Sequence, residues 1–146
     1  MMTTEELSVY NELSKQVIGA AINVHKELGP GLLESAYEYC LMKELELLGL
    51  KAESQVELPL FYKGLPTGKT FRIDMIVEDE IILELKSVVS LHPVNEIQLL
   101  TYLKLTGKKM GLLINFNVPV LKDGIKRKIN DKIEYIDSLL KDASDK

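Results

Sequence analysis

A chain of 146 residues, 46% hydrophobic and 27% charged, carries enough apolar side chain for one globular domain with a real core. Its net charge of −4 argues against a protein that coats nucleic acid by electrostatics alone, because that mode rests on neutralising many phosphates at once. The single cysteine, Cys40, excludes an intrachain disulfide and a Cys-rich metal site, and reads as a small buried residue on a helix. No run approaches the roughly 18 apolar residues of a membrane span. The N-terminal "MMTTEELSVYNE" lacks the basic-then-apolar order of a signal peptide, so a soluble, cytoplasmic protein with no membrane partner is expected.

In chain order, the apolar positions from Thr3 to Leu28 follow helical spacing, and "GPG" at Gly29 to Gly31 stops that helix. A second helix runs from about Leu32 to Leu48 and ends at Gly49. Strand-like runs follow at Val56 to Tyr62, Thr70 to Val77 and Ile81 to Leu85, with "KGLPTGK" as turn material between the first two. Pro93 opens a third helix that Gly107 terminates. "KMGLLINF" is a strongly apolar strand, "LKDGIKRKI" holds a further short one, and residues 131–146 read as a helical, fraying tail. No repeat or linker interrupts this order. It predicts a single α/β domain, or an α+β one, spanning 1–146 with a mixed sheet and a core of about 3–130.

Charge is unevenly spread: −6 over residues 1–60, +4 over 61–130 and −2 over 131–146. The basic stretch "KDGIKRK", Lys122 to Lys128, reads equally as a solvated strand edge and as a phosphate-contacting surface.

The stretch "FRIDMIVEDEIILELKS", Phe71 to Ser87, has the alternation of two strands but interrupts it with charge. Side chains alternate across a strand, which predicts Phe71, Ile73, Met75 and Val77 on one face and Arg72, Asp74 and Ile76 on the other. Likewise Ile81, Leu83 and Leu85 should face away from Ile82, Glu84 and Lys86. If the apolar rows share a core, Val77 opposes Ile81 across the loop Glu78 to Glu80. That register sets Asp74 opposite Glu84 and Arg72 opposite Lys86. Like charges directly opposite destabilise a ladder, so something must compensate. Magnesium, which takes one or two carboxylates and keeps several waters, is one candidate. A cross-strand ion-pair cluster of Arg72, Asp74, Glu84 and Lys86 is the other, and the spacing leaves both open.

Elsewhere, Glu34 sits in the first turn of the second helix, where a carboxylate complements the helix dipole or serves as a further acidic ligand. Gln98 and Tyr102 lie one helical turn apart and point the same way. His25 and His92 are too few for a histidine-rich zinc site, and His25 reads as a packing or capping residue.

Taken together these residues resemble a known pattern. "GLLESAY", with Gly31, Glu34 and Tyr37, is similar to the signature of the GxxExxY proteins. "RID" followed after nine residues by "ELK", then "QLLTY" and "GLLINF", resembles the active-site order of the PD-(D/E)XK nuclease superfamily. The resemblance runs from about Thr3 to Ile129. It implies a restriction-endonuclease-like core, a four-stranded mixed sheet flanked by helices. It also implies Mg2+ or Mn2+ held by Asp74, Glu84, Glu34 and the main-chain carbonyl of Leu85, with Lys86 as catalytic lysine. Gln98 would position the lysine or the substrate, and Tyr102, Tyr37 and Arg72 would contact substrate. Ile73 stands where the superfamily name has proline. The activity implied is hydrolysis of phosphodiester bonds in nucleic acid, DNA in the first instance. A binding module that keeps the fold without cleaving, and a homodimer, are the competing readings.

Overall fold

The computed structural model describes residues 2–130; the tail expected to be helical at 131–146 lies outside the described residues. Helix α1, Thr4–Leu28, starts where Thr3 and Glu6 cap each other. The Glu6 N–H donates to Thr3 Oγ1 and the Thr3 N–H to Glu6 Oε2, both at 3.0 Å. It ends at Gly29, whose positive φ of 69° lets the chain turn while its N–H still reaches the His25 carbonyl. Helix α2, Glu34–Leu47, packs on α1 through Tyr37, Leu41 and Leu45.

Five strands follow: β1, Ala52–Tyr62; β2, Leu65–Val77; β3, Ile81–Lys86; β4, Met110–Asn115; and β5, Ile125–Ile129. They form one sheet in the order β1-β2-β3-β4-β5, antiparallel throughout except for the parallel β3–β4 pair. The parallel pair requires a crossover, and helix α3, Pro93–Thr106, supplies it. Pro93 occupies the first turn, where its missing N–H costs nothing, and the Val94 N–H donates to His92 Nδ1 at 3.1 Å. Gly111 on β4 lets α3 approach closely: a Cβ there would lie 2.6 Å from Leu99 Cδ1. No helix among the described residues is long and apolar enough to cross a membrane.

The mixed α/β sheet agrees with expectation: it has the five strands read in chain order, one more than the four-stranded core that the resemblance implied. Two details need correction. Of "KGLPTGK" only Lys63 and Gly64 turn, with φ of 52° and 76°, so β2 begins at Leu65 rather than Thr70. Two consecutive left-handed residues match the twist of an antiparallel hairpin, so pairing resumes at once with Tyr62 opposite Leu65. Gly68, φ 73°, lies within the register irregularity between Pro59 and Phe61, and the ladder continues through it.

The faces of β2 also differ from expectation. Helices cover both sides of the sheet. Met75, Val77, Ile81, Leu83, Leu85 and Leu112 pack in one cluster with α1 and α2. Ile73, Ile76, Ile82, Leu113, Leu99 and Leu103 pack in another beneath α3, joined by Phe71. Phe71 and Ile73 therefore lie on the opposite side from Met75 and Val77. The expected alternation breaks at Asp74, opposite Gln55, whose φ of 51° removes that pair from the β1–β2 ladder. Cys40 is half-buried against the first cluster, and buried His25 packs with its Nε2 2.8 Å from the Val118 carbonyl oxygen.

Candidate active site

Val77 does oppose Ile81, across Glu78 to Glu80, with the Glu80 N–H closing the turn onto the Val77 carbonyl at 2.9 Å. The β2–β3 ladder runs only from there to Met75 opposite Leu83. At its end the strands part around two carboxylates. Asp74 Oδ2 accepts from the Leu85 N–H at 2.8 Å, and Glu84 Oε1 accepts from the Asp74 N–H at 3.3 Å. Arg72 is exposed and pairs across the β1–β2 ladder with Glu57, so its expected position opposite Lys86 is not met. The ladder has already ended at Met75, and this leaves the pairing to the other edge of β2.

Burial of a carboxylate disfavours its charged form, and a second carboxylate alongside does the same. Glu84, 5% exposed, experiences both. Burial first, and then the charge of Asp74, push its pKa up to about 8, against the lowering effects of the Asp74 N–H and of the Lys86 charge. The arrangement favours the protonated form of Glu84. Half-buried Lys86 follows two residues later, on the same face of β3.

The donor set suits a hard divalent cation. Asp74 and Glu84 each retain an oxygen beyond the main-chain bonds just described. The Lys86 carbonyl faces β4, where it accepts from the Phe116 N–H at 2.9 Å. The Leu85 carbonyl, one residue earlier, lies along the opposite edge, on the side of Asp74. Two carboxylates and a carbonyl, with waters completing the shell, are what magnesium takes. Glu34 does not join them: among the described residues no three His, Cys, Asp or Glu side chains lie close enough to hold an ion together. Its expected place as a third ligand is thus corrected. At the exposed start of α2, Glu34 Oε1 instead accepts from the Ser87 N–H at 3.3 Å.

That bond is part of a clip. Ser87 Oγ donates to the Leu32 carbonyl at 2.6 Å, and the Leu32 N–H donates to the Tyr37 hydroxyl at 3.1 Å. The same hydroxyl donates to the Gly29 carbonyl at 2.6 Å. Tyr37 is fully buried, with its ring stacked on Phe116 at 4.3 Å. Its expected contact with substrate is therefore corrected: it holds the loop between α1 and α2 against the end of β3. Gly31, at φ 98°, provides the backbone conformation that loop needs. Ser87 was missed from the sequence because nothing local distinguishes it from any loop serine.

Tyr102 on α3 stacks on Phe71 at 5.4 Å. Its hydroxyl titrates above the usual range, first because it is partly desolvated, then because Glu84 and Asp74 are near; Arg72 opposes the shift. Gln98, one turn earlier, is exposed, and its amide makes no hydrogen bond among the described residues. His92 caps α3, away from any ligand role. The basic stretch Lys122 to Lys128 is partly engaged: Lys128 pairs with Glu96 at 2.9 Å and Arg127 donates to Asn11 at 2.7 Å. A groove of about 650 Å³ between α2 and β1, lined by Glu38, Tyr39 and Met42 among others, does not include Asp74, Glu84 or Lys86.

A mixed sheet covered on both faces, with an Asp, a Glu and a Lys gathered where β2 and β3 part, defines a class of α/β domains built on the PD-(D/E)XK arrangement. The family model described as the PD-(D/E)XK nuclease superfamily matches residues 11–128, and the chain belongs to that superfamily. Among solved structures, one titled "Crystal structure of SSO0001" is similar at 21% identity and a TM-score of 0.42. The match covers 82% of this chain and 58% of that one. No curated protein gives a significant match.

Proposed function

We propose that the protein is a metal-dependent nuclease of the GxxExxY kind that hydrolyses phosphodiester bonds in DNA. The observation that carries this reading is the Asp74–Glu84 pair. Two carboxylates are drawn together at the mouth of the hairpin, one of them buried, at a cost in desolvation and like-charge repulsion that a bound cation would offset. The GxxExxY assignment is supported by the clip, in which Glu34 and Tyr37 fasten the loop containing Gly31 to the residue after Lys86.

Asp74, Glu84 and the Leu85 carbonyl would hold Mg2+ or Mn2+. Such an ion supplies Lewis-acid polarisation of a phosphoryl oxygen and a more acidic bound water. Asp74 and Glu84 fix the place where charge is neutralised. Lys86 places an ammonium beside them, where it orients a water or stabilises negative charge as the phosphorus gains a fifth oxygen. Tyr102 and Arg72 lie at the rim of the pair, and Gln98 on the same helix face is open to a substrate strand. Phosphate contacts of this kind position a strand without reading its sequence.

The test is calorimetric titration of Mg2+ or Mn2+ into the wild type and Asp74→Ala/Glu84→Ala, followed by incubation with duplex, branched and single-stranded DNA and with RNA. Metal binding and cleavage that both disappear in the double variant are expected. Metal binding with no cleavage of any probe would overturn the nuclease reading and favour a binding module. Cleavage of RNA alone would overturn the choice of DNA.

A further inference from the structure

The β1–β2 hairpin is longer than the sheet it belongs to. β2 has 13 residues, but β3 pairs only with Met75–Val77, so Leu65 to Arg72 leave the sheet with β1 as their sole partner. At about 3.3 Å per residue these eight positions make an arm roughly 25 Å long. Its base is anchored: Val56, Leu58 and Phe71 pack on the α3 cluster, and Phe71 stacks on Tyr102. Its outer part is not. Every residue from Phe61 to Thr70 is exposed, including Phe61 at 55%, Tyr62 at 66% and Leu65 at 68%.

An isolated two-stranded ribbon is marginal in water, and exposed aromatic side chains at its tip add no folding energy. The composition indicates what the arm meets. From Leu58 to Ile73 the chain carries Lys63, Lys69 and Arg72 and no carboxylate, although the whole protein is at −4. Lys63 Nζ lies 5.5 Å from the centre of the Tyr62 ring, so a cation and an aromatic face are presented together at the tip. The acid-free run leads directly into Asp74.

We propose that this arm is a nucleic-acid-binding element, a basic ribbon that lies along the sugar-phosphate backbone beside the carboxylate pair and holds the strand across it. The proposal rests on the nuclease reading for its choice of polyanion, but it concerns binding and can fail separately. A two-stranded ribbon has the width to enter a duplex major groove, and the exposed Lys63 and Lys69 supply its positive charge. A second copy of the chain is the other conceivable cover. The exposed outer part of the ribbon carries Lys63 and Lys69 and no carboxylate, which suits a polyanion, and these two cations on each of two arms would repel one another across a two-fold contact.

The experiment measures anisotropy of a labelled 20-base-pair duplex and a 20-nucleotide single strand in calcium buffer. Wild type, Lys63→Glu/Lys69→Glu and Asp74→Asn/Glu84→Gln are compared over a range of salt concentrations, alongside sedimentation velocity. The Lys pair variant is expected to bind about tenfold more weakly or worse, with the salt slope smaller by about two phosphate contacts. Cleavage of a small phosphodiester ester should stay at the wild-type level, because neither lysine belongs to the site. The same affinity and slope as wild type would overturn the arm while leaving the nuclease reading intact, as would a mass that halves in the variant. Full arm-dependent binding without any cleavage would overturn the nuclease reading and leave the arm standing. Absence of wild-type binding to either probe would overturn the arm.

Discussion

Strands β3 and β4 and the outer half of the β1–β2 hairpin share a backbone conformation and almost nothing else. Every residue of β3 and β4 except Lys86 is buried, between α1 and α2 on one side and α3 on the other. The arm has no such cover. The central strands exist because burial makes them favourable, whereas the arm exists because Lys63 and Gly64 adopt the turn that zips two extended segments together. The carboxylate pair lies on the boundary: Asp74 is the residue at which β2 passes from the packed sheet to the arm.

The largest effect expected from this contrast is in the centre. Leu112→Ala removes a fully buried side chain from the α1/α2 cluster and should cost about 2–5 kcal/mol in urea unfolding. A loss under about 1 kcal/mol would mean that the two halves of the sheet do not differ in packing as described.

Next comes the boundary. The Glu84 pKa, raised to about 8, exceeds that of an unfolded-state glutamate, so the folded protein binds the extra proton over the intervening range. Below about pH 4 both states hold it and stability is fully present. As pH rises toward 8 the unfolded state ionises first, and stability falls, in total by on the order of a few kcal/mol. In chelator, wild type should therefore be less stable at pH 9 than at pH 5, and Glu84→Gln should flatten that difference. Parallel pH profiles for the two proteins would show that Glu84 is not the group responsible.

Much of this was legible in advance. The Val77–Ile81 register followed from apolar parity and a three-residue loop, and with it the meeting of Asp74 with Glu84. The switch of faces at Asp74 was not, because it depends on the left-handed backbone of Gln55 in the partner strand, a residue type with no local preference that announces it. Tyr37 was misread for a related reason. A tyrosine at that spacing is compatible with either a substrate contact or a core hydroxyl, and only the positions of Gly29 and Leu32 decide between them. The arm was hidden by composition, since "KGLPTGK" suits a long loop as well as a tight turn followed by a glycine-relieved strand. What could have revealed it is the absence of any carboxylate from Leu58 to Ile73.

The smallest expected effect completes the contrast. Phe61→Ser and Leu65→Ser change apolar side chains that already face water, so each should move unfolding free energy by no more than about 0.5 kcal/mol. Phe71→Ser, ten residues after Phe61 on the facing strand, should cost several times more, because its ring stacks on Tyr102 and packs against the α3 cluster. The two results together locate where the ribbon stops contributing to the stability of the fold. If Phe61→Ser proved as costly as Phe71→Ser, the tip would be packed in solution against protein, and the arm would be part of the core rather than a surface projecting from it.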